Sequence, residues 1–127
     1  DRADVLAIAR MQLEWERTAL ERGAGVIVAD TDLTVIRVWW EERFGTLDPW
    51  LEAALGERSP RRYLLARPDL PWEPDPLRES PHDRERLFAR YRAVLAEDGF
   101  PHAEVGGTGS ARLAAALEHV RSWLAPA

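Results

Sequence analysis

The chain has 127 residues and a formal net charge of −5, a length that fits one domain over residues 1–127 rather than two. The acidic balance argues against a general nucleic-acid binder, which would present a basic face to phosphates. The sequence contains no cysteine, so disulfides and thiolate nucleophiles are excluded and a cytoplasmic location is the expectation. We expect no membrane contact, because no apolar run approaches the roughly 18 residues that a membrane span needs.

The first half of the chain is predicted to fold as helices around one buried strand. Apolar residues recur at helical spacing in two segments, and a cap indicates a third, short helix. The second segment stops at Gly45, and the third starts at Asp48 with Pro49 in its first turn. The run VIVA lacks polar alternation and predicts a strand buried on both faces. The predicted elements are a helix over residues 1–22, a strand over 26–29, and helices over 33–44 and 48–55.

The second half alternates strand and helix again. YLLA predicts a buried strand over residues 63–66, and five prolines among residues 67–83 preclude a regular element there and predict a long loop. A helix over 83–97, a strand over 102–105 and a helix over 111–124 follow. This alternation favours an α/β fold with a parallel sheet flanked by helices, in which ligands bind at the carboxyl ends of the strands.

The first candidate site is the acidic segment DTD, which follows the first predicted strand. Asp30 and Asp32 offer carboxylate oxygen to Mg²⁺, directly or through water, and either could take a proton from a substrate hydroxyl. The alternative is structural, because Asp32 or Thr31 would also serve as the cap of the helix that starts at Leu33.

The second candidate site is the proline-rich loop after YLLA. Trp72 could stack on a flat or cationic ring, or it could pin the loop to the domain. Asp75 could accept hydrogen bonds from sugar hydroxyls or act as a turn residue. Arg78 and Arg84 suit a developing phosphoryl charge, whereas Arg86 is expected on a solvated helix face.

The third candidate site is GGTG, which precedes the last predicted helix as phosphate-binding loops do. Its last glycine is followed by Ser110 rather than lysine, so a plain turn or a loop against a nucleotide base are the two interpretations. His82, His102 and His119 lack metal-ligand spacing and are expected to be structural or solvent-facing. All 17 positive side chains are arginine, so the chain has no lysine for a GxxxxGK(S/T) phosphate loop.

Four segments in order, VIVADTDLTVIRVWWEERFG, YLLARPDLPWEPDPLRE, RERLFARYRAVL and GGTGSARLAAALEHV, resemble the ribosylnicotinamide kinase domain of NadR-type proteins and its related P-loop ATPases. The most specific parts are DTD after a strand and a (D)xPWxxDGxR loop. That loop is represented here by Asp69, Pro71, Trp72, Asp75 and Arg78, with Pro76 where the family has glycine.

The resemblance implies a P-loop kinase-like, three-layer fold that transfers the γ-phosphoryl group of MgATP to the 5′-hydroxyl of nicotinamide riboside or a similar nucleoside, a step of NAD salvage. Asp30 would bind Mg²⁺ and, with Asp32, act on the riboside hydroxyl. Arg78 and Arg84 would act on the transferring phosphate.

The resemblance also implies where the two substrates lie. Trp72 and Asp75 would contact the nicotinamide riboside. The adenine of ATP would lie close to residues of the last loop and helix, namely Gly107, Thr108, Gly109 and Arg112.

The family's phosphate loop, and the strand that feeds it, lie upstream of every segment quoted above. In the family that strand stands between the strands corresponding to residues 26–29 and 63–66. We therefore expect this chain to be the C-terminal part of a longer kinase-like domain, inactive alone, with a partner chain or homodimer completing the sheet. The alternative is a non-catalytic nucleotide-binding or interaction domain that kept the fold and lost the phosphate loop.

Overall fold

The protein is described here by a computed structural model that covers residues 1–69 and 81–126, without the side chains of residues 81 and 82. The chain folds into two compact units, unit 1 (Asp1–Ser59) and unit 2 (Pro60–Ala127). The length predicted a single domain over residues 1–127. Whether both units fold together is a separate property, so the single domain stays a prediction.

Unit 1 consists of three helices, each of which begins after an aspartate whose carboxylate accepts a backbone N–H of the first turn. Such caps satisfy donors that the helix itself leaves without partners. The three helices match the predicted segments to within about one residue at each end. They are α1 (Arg2–Glu21), α2 (Leu33–Phe44) and α3 (Pro49–Gly56).

The hydrophobic core of unit 1 is contributed by all three helices. Trp40 on α2 packs edge-on against Phe44, with ring centroids 4.8 Å apart, and its indole N–H donates to the Thr46 carbonyl at 2.8 Å. This packing fixes α2, and with it the acidic turn that leads into the helix. The buried core residues are Ala9, Leu33, Ile36, Trp40, Leu51 and Ala54.

Residues 26–29 do not form the buried strand that their apolar run predicted. Val26 is 55% exposed and Val28 is 83% exposed, and neither strand of the described residues pairs with this segment. A strand forms only where a neighbour satisfies its backbone N–H and C=O groups. The prediction is wrong because the apolar run indicates strand propensity but does not supply that neighbour.

Unit 2 contains the parallel β-α-β arrangement that the sequence predicted, followed by a last helix. Strands β1 (Tyr63–Ala66) and β2 (His102–Val105) pair in parallel, and α4 (Pro81–Asp98) connects them before α5 (Gly109–Leu124). The protein is thus mostly helical α/β with a small two-stranded sheet in its described part, consistent with a P-loop-like fold. The three-layer arrangement stays a prediction.

The sheet of unit 2 is less buried than predicted. Along β1 the side chains alternate between half-buried and exposed, and Leu64 is 38% exposed. The strand over residues 63–66 is thus confirmed but its burial was a wrong prediction, because an apolar run does not supply the neighbours that would cover it. Among the described residues of unit 2, those that are buried are Val94, Leu95 and Val105.

Candidate functional site

The acidic turn DTD is held in place from the side of α1. The side-chain amide of Gln12 donates a hydrogen bond to the Thr31 carbonyl. On the other side, the Asp32 carboxylate accepts the Thr34 backbone N–H at 2.8 Å. These contacts fix the backbone around Asp30, whose own side chain is exposed.

Asp32 and Thr34 are the buried polar residues of the described chain, and both meet Arg58. The Arg58 Nη1 donates to Thr34 Oγ1 at 2.7 Å and lies 3.9 Å from Asp32 Oδ2. Its Nε donates to the Leu55 carbonyl at 3.1 Å. The Arg58 side chain is only 1% exposed and that of Asp32 only 8%, so this is a buried ionic cluster.

The structure confirms the capping role weighed for Asp32, since its carboxylate caps α2. The direct roles predicted for Asp30 and Asp32 in catalysis and Mg²⁺ binding stay predictions, with Asp30 the more accessible carboxylate. Sequence reasoning missed Arg58. An arginine just after a helix ordinarily suggests a favourable partner for the helix C-terminus, and nothing local indicates that it reaches α2.

In unit 2, a second acidic side chain joins the loop after β1 to the loop after β2. Asp69 Oδ2 accepts the Gly107 backbone N–H at 2.9 Å, and its Oδ1 pairs with the Arg112 guanidinium. Arg112 also donates to the Gly107 carbonyl at 2.9 Å and to the Arg67 carbonyl at 3.0 Å. We call this set of contacts the Asp69–Arg112 clasp.

The clasp confirms that the loops after the two strands of unit 2 meet at the carboxyl end of the sheet. The Gly107 N–H, together with Arg112, holds the pKa of the Asp69 carboxyl below its usual value, as expected for a carboxylate that accepts hydrogen bonds in its charged form. The approach is close, because a Cβ placed on Gly106 would lie 2.6 Å from Asp69 Oδ2.

The clasp also changes what the GGTG loop can offer a ligand. The Gly107 N–H and the Arg112 guanidinium, both predicted near adenine, already bind groups of the protein. Thr108 and Gly109 are exposed, with Thr108 at the cap position of α5 and without a side-chain capping hydrogen bond. The predicted adenine contacts stay a prediction.

The remaining predicted residues lie on α4 or outside the described residues. Arg84 lies half-buried on α4. Arg86 has a 55% exposed side chain that lies 3.5 Å from the Asp83 carboxylate, which confirms the solvated helix face. The predictions for Trp72, Asp75 and Arg78 lie outside the described residues.

A third ionic contact ties α4 to β2. The Arg92 guanidinium donates to both carboxylate oxygens of Glu104, at 2.6 and 3.0 Å, and Arg67 lies 3.6 Å from the same carboxylate. The hydrogen bonds from Arg92 hold the pKa of Glu104 below its usual value. Glu104 therefore has a structural role, because it joins β2 to α4.

The metal that the resemblance implies fits the described residues only in part. Within residues 1–69 and 81–126, no group of three or more histidine or acidic side chains could hold a metal ion. Mg²⁺ needs less, since it binds through one or two carboxylates together with water and substrate phosphates. Asp30 could supply one such carboxylate.

In the same part of the chain, no helix is long and apolar enough to cross a membrane.

Comparison with known protein families identifies the class of domain. A family model described as an AAA domain matches residues 1–112. The chain belongs to this AAA domain family. Its members are P-loop NTPase-type, kinase-like nucleotide-binding domains, which generally bind nucleotide with Mg²⁺. No curated protein and no solved structure matches the chain.

Proposed function

We propose that this chain forms the acceptor side of a phosphotransferase site, at which ATP phosphorylates the 5′-hydroxyl of nicotinamide riboside or a similar nucleoside. The observation that carries the proposal is Asp30, an exposed carboxylate on a turn fixed by Gln12 and by the cap on α2. Membership of a P-loop-type family and the order of the DTD, PW and GGTG segments support it.

Asp30 would act on the attacking hydroxyl. As the oxygen of that hydroxyl bonds to the γ-phosphorus, the bond from phosphorus to the leaving ADP oxygen breaks and the hydroxyl proton passes to the Asp30 carboxylate. Asp30 would also hold Mg²⁺, which would supply positive charge beside the phosphates. Arg78 and Arg84 would bind the phosphoryl group in transfer.

The nucleoside and the adenine would bind on separate groups. Trp72 would stack on the cationic pyridine ring, and Asp75 would accept hydrogen bonds from the ribose. Because the clasp engages the Gly107 N–H and Arg112, the exposed Thr108 and Gly109 remain as the adenine contacts of the last loop.

The proposal includes a partner for residues 26–29, supplied by another chain or by a second copy. Val26 and Val28 are largely exposed, and apolar, β-branched residues favour strands once a neighbour is present. A strand added beside this segment would slow hydrogen exchange of its backbone amides. Amides that exchange equally fast in every assembled form of the protein would contradict this part of the proposal.

Two titrations of the chain, followed by amide resonances, test the proposal. Nicotinamide riboside is expected to shift the resonances of the acidic turn, and Asp30→Asn is expected to remove that response. Glu52→Gln is the matched control, because Glu52 is an exposed carboxylate of the same unit. MgATP is expected to show no micromolar affinity, because the chain lacks a phosphate-loop lysine.

The outcomes separate the parts of the proposal. A riboside that leaves the turn unperturbed would contradict the acceptor role of Asp30. Micromolar binding of MgATP by this chain would contradict the inference that it has no phosphate loop of its own.

A second candidate is a non-catalytic nucleotide-binding or interaction domain. The clasp favours it, because Asp69 occupies the Gly107 N–H in the loop that the resemblance assigns to adenine. With the Gly107 N–H occupied, this candidate predicts no response of the GGTG amides to adenosine, and no ADP formation from MgATP and riboside in any assembled form. ADP formation that depends on Asp30 would contradict it.

A further inference from the structure

The acidic turn contains a buried arginine contact that its sequence does not indicate. Arg58 follows the C-terminus of α3 and contacts the start of α2, where it meets Thr34 Oγ1 at 2.7 Å and Asp32 Oδ2 at 3.9 Å. These contacts lie within unit 1, and the Arg58 side chain is 1% exposed.

Joining two helices does not require a buried charge. An apolar side chain of similar volume would pack there without the cost of removing a guanidinium from water. Arg58 instead directs its Nη1 to the Thr34 hydroxyl while Asp32 caps the same turn. Burial of this charge therefore provides a directed contact to the acidic turn, which an apolar side chain could not make.

The contact with Arg58 gives the two carboxylates of the turn different surroundings. Asp32 is 8% exposed and lies beside a fixed positive charge, so it is the weaker candidate for a hydrated cation. Asp30 is exposed and lies two residues before Asp32, the cap of α2. Because only Thr31 separates the two acids, a shift of Asp32 moves the backbone that carries Asp30.

We propose that Arg58 is a positioning residue: it holds Asp32 and Thr34 at the start of α2 so that Asp30 alone presents its carboxylate to Mg²⁺ and to the attacking hydroxyl. This inference rests on the proposed function for the role of Asp30. The structural half, that Arg58 orders the turn, is independent of any reaction.

The experiment compares Arg58→Lys with Arg37→Lys in the same chain. Arg37 is a suitable control because it pairs with Glu41 at 3.1 Å on α2 and has a largely covered side chain. Thr34→Val is the second variant, since it removes the hydroxyl that accepts from Arg58 while keeping both charges. It covers the case in which Arg58→Lys fails to fold.

The first readout is hydrogen exchange of the Thr34 amide, which donates to the Asp32 carboxylate. It is expressed relative to the slowest amides of α2, so that a global loss of stability cancels. Arg58→Lys and Thr34→Val are each expected to speed this exchange about tenfold, the effect of losing a hydrogen bond to a charged group. Arg37→Lys should leave it unchanged.

The second readout is binding of Mn²⁺, used alone as the probe, by its broadening of the Asp30 and Thr31 amides. Arg58→Lys is expected to weaken this binding about tenfold, as loss of an orienting contact behind a metal ligand does, and Asp30→Asn to remove it. Broadening that survives Asp30→Asn would contradict the proposed function without touching the exchange result.

Unchanged relative exchange of the residue-34 amide in both Arg58→Lys and Thr34→Val would overturn the proposal, because Arg58 would then serve only to join α3 to α2. Faster exchange of the residue-34 amide with unaltered Mn²⁺ binding would overturn the effect of Arg58 on Asp30, while Arg58 would still order the turn. Parallel changes in both readouts, absent from Arg37→Lys, are the result that we expect.

Discussion

Each unit has an aspartate–arginine pair beside a loop, Asp32 with Arg58 in unit 1 and Asp69 with Arg112 in unit 2. The two pairs differ in solvent exposure. The side chains of the first pair are 8% and 1% exposed, whereas Asp69 is 41% exposed and Arg112 19%. The buried charges lie 3.9 Å apart, while the clasp makes direct hydrogen bonds to backbone groups of two loops.

This difference separates the energetic roles of the pairs. A buried pair gains little over an apolar replacement of the same shape, but removal of one partner leaves a charge without compensation in a low-dielectric interior. Removal of one partner from a water-accessible pair costs less stability, because water replaces it as the hydrogen-bond partner. We therefore expect Arg58 to matter most for stability and Arg112 mainly for the position of the loops.

The largest expected effect is that of Arg58→Ala, which removes the guanidinium that lies 3.9 Å from the buried Asp32 carboxylate. The free energy of unfolding should fall by about 3–5 kcal/mol, a large fraction of the roughly 5–15 kcal/mol of an ordinary domain. Urea denaturation followed by far-UV circular dichroism measures it. Arg112→Ala is the matched comparison, and an equal loss for both variants would remove the distinction between the two pairs.

The next effect separates the charge of Asp32 from its capping role. Asparagine caps helices as well as aspartate does, so Asp32→Asn keeps the cap and leaves Arg58 beside a neutral amide. A loss of about 2 kcal/mol is expected for this imperfectly compensated buried charge. Asp48→Asn is the control, because Asp48 caps α3 through the Trp50 and Leu51 amides at 2.9 and 3.1 Å.

Asp48→Asn should change stability by less than about 0.5 kcal/mol. If denaturation midpoints show both substitutions to be equally mild, the charge of Asp32 contributes nothing, and the cap alone explains why aspartate stands at that position.

A smaller effect concerns the pH dependence of the clasp. The pKa of Asp69 is held below its ordinary value of 3.8, first by the Gly107 N–H and then by Arg112. A depressed pKa contributes stability that is present above the unfolded value and is lost as the pH falls through the folded value. Glu104, whose pKa is also lowered, contributes in the same direction.

Asp69→Asn removes only the Asp69 part of that dependence. The stability difference between the parent chain and this variant should shrink as the pH falls below about 4, measured as denaturation midpoints across the acid range. Glu104 is present in both chains and therefore cancels. A difference that stays constant down to low pH would show that Asp69 is not stabilised as a carboxylate.

The sequence predicted the helices and the paired strands well because their signals are local. Asp48 before Pro49, and Gly45 after a periodic run, indicate helix ends through backbone chemistry alone. The strand at residues 26–29 failed because pairing requires a distant neighbour, which an apolar run cannot specify. Arg58 was missed for a related reason, since its partner Thr34 lies 24 residues away.

For the candidate site, too, the local features were predictable and the tertiary contacts were not. The acids of DTD follow from residue type, and the meeting of the loops after β1 and β2 follows from the parallel topology. That Asp69 would occupy the Gly107 N–H, or that Asp32 would be buried beside an arginine, depends on tertiary packing. Membership of the AAA domain family confirms the P-loop class and leaves the choice of nucleoside a proposal.

The smallest effect tests how tightly the clasp is built. Gly106→Ala would place a Cβ 2.6 Å from Asp69 Oδ2, closer than non-bonded atoms approach, so the carboxylate must move away from the Gly107 amide. That carboxylate is the end of a mobile side chain, and the cost should be modest. Gly25→Ala is the control, because nothing lies within 4 Å of a Cβ there, and its effect should stay within about 0.5 kcal/mol.

The expected signature of Gly106→Ala is a changed Gly107 amide resonance together with an Asp69 pKa nearer its ordinary value, both measurable by NMR titration. An unchanged Gly107 resonance would mean that Asp69 accommodates the methyl group without releasing the loop, and the contrast between a rigid buried pair and an adjustable open one would then be sharper still.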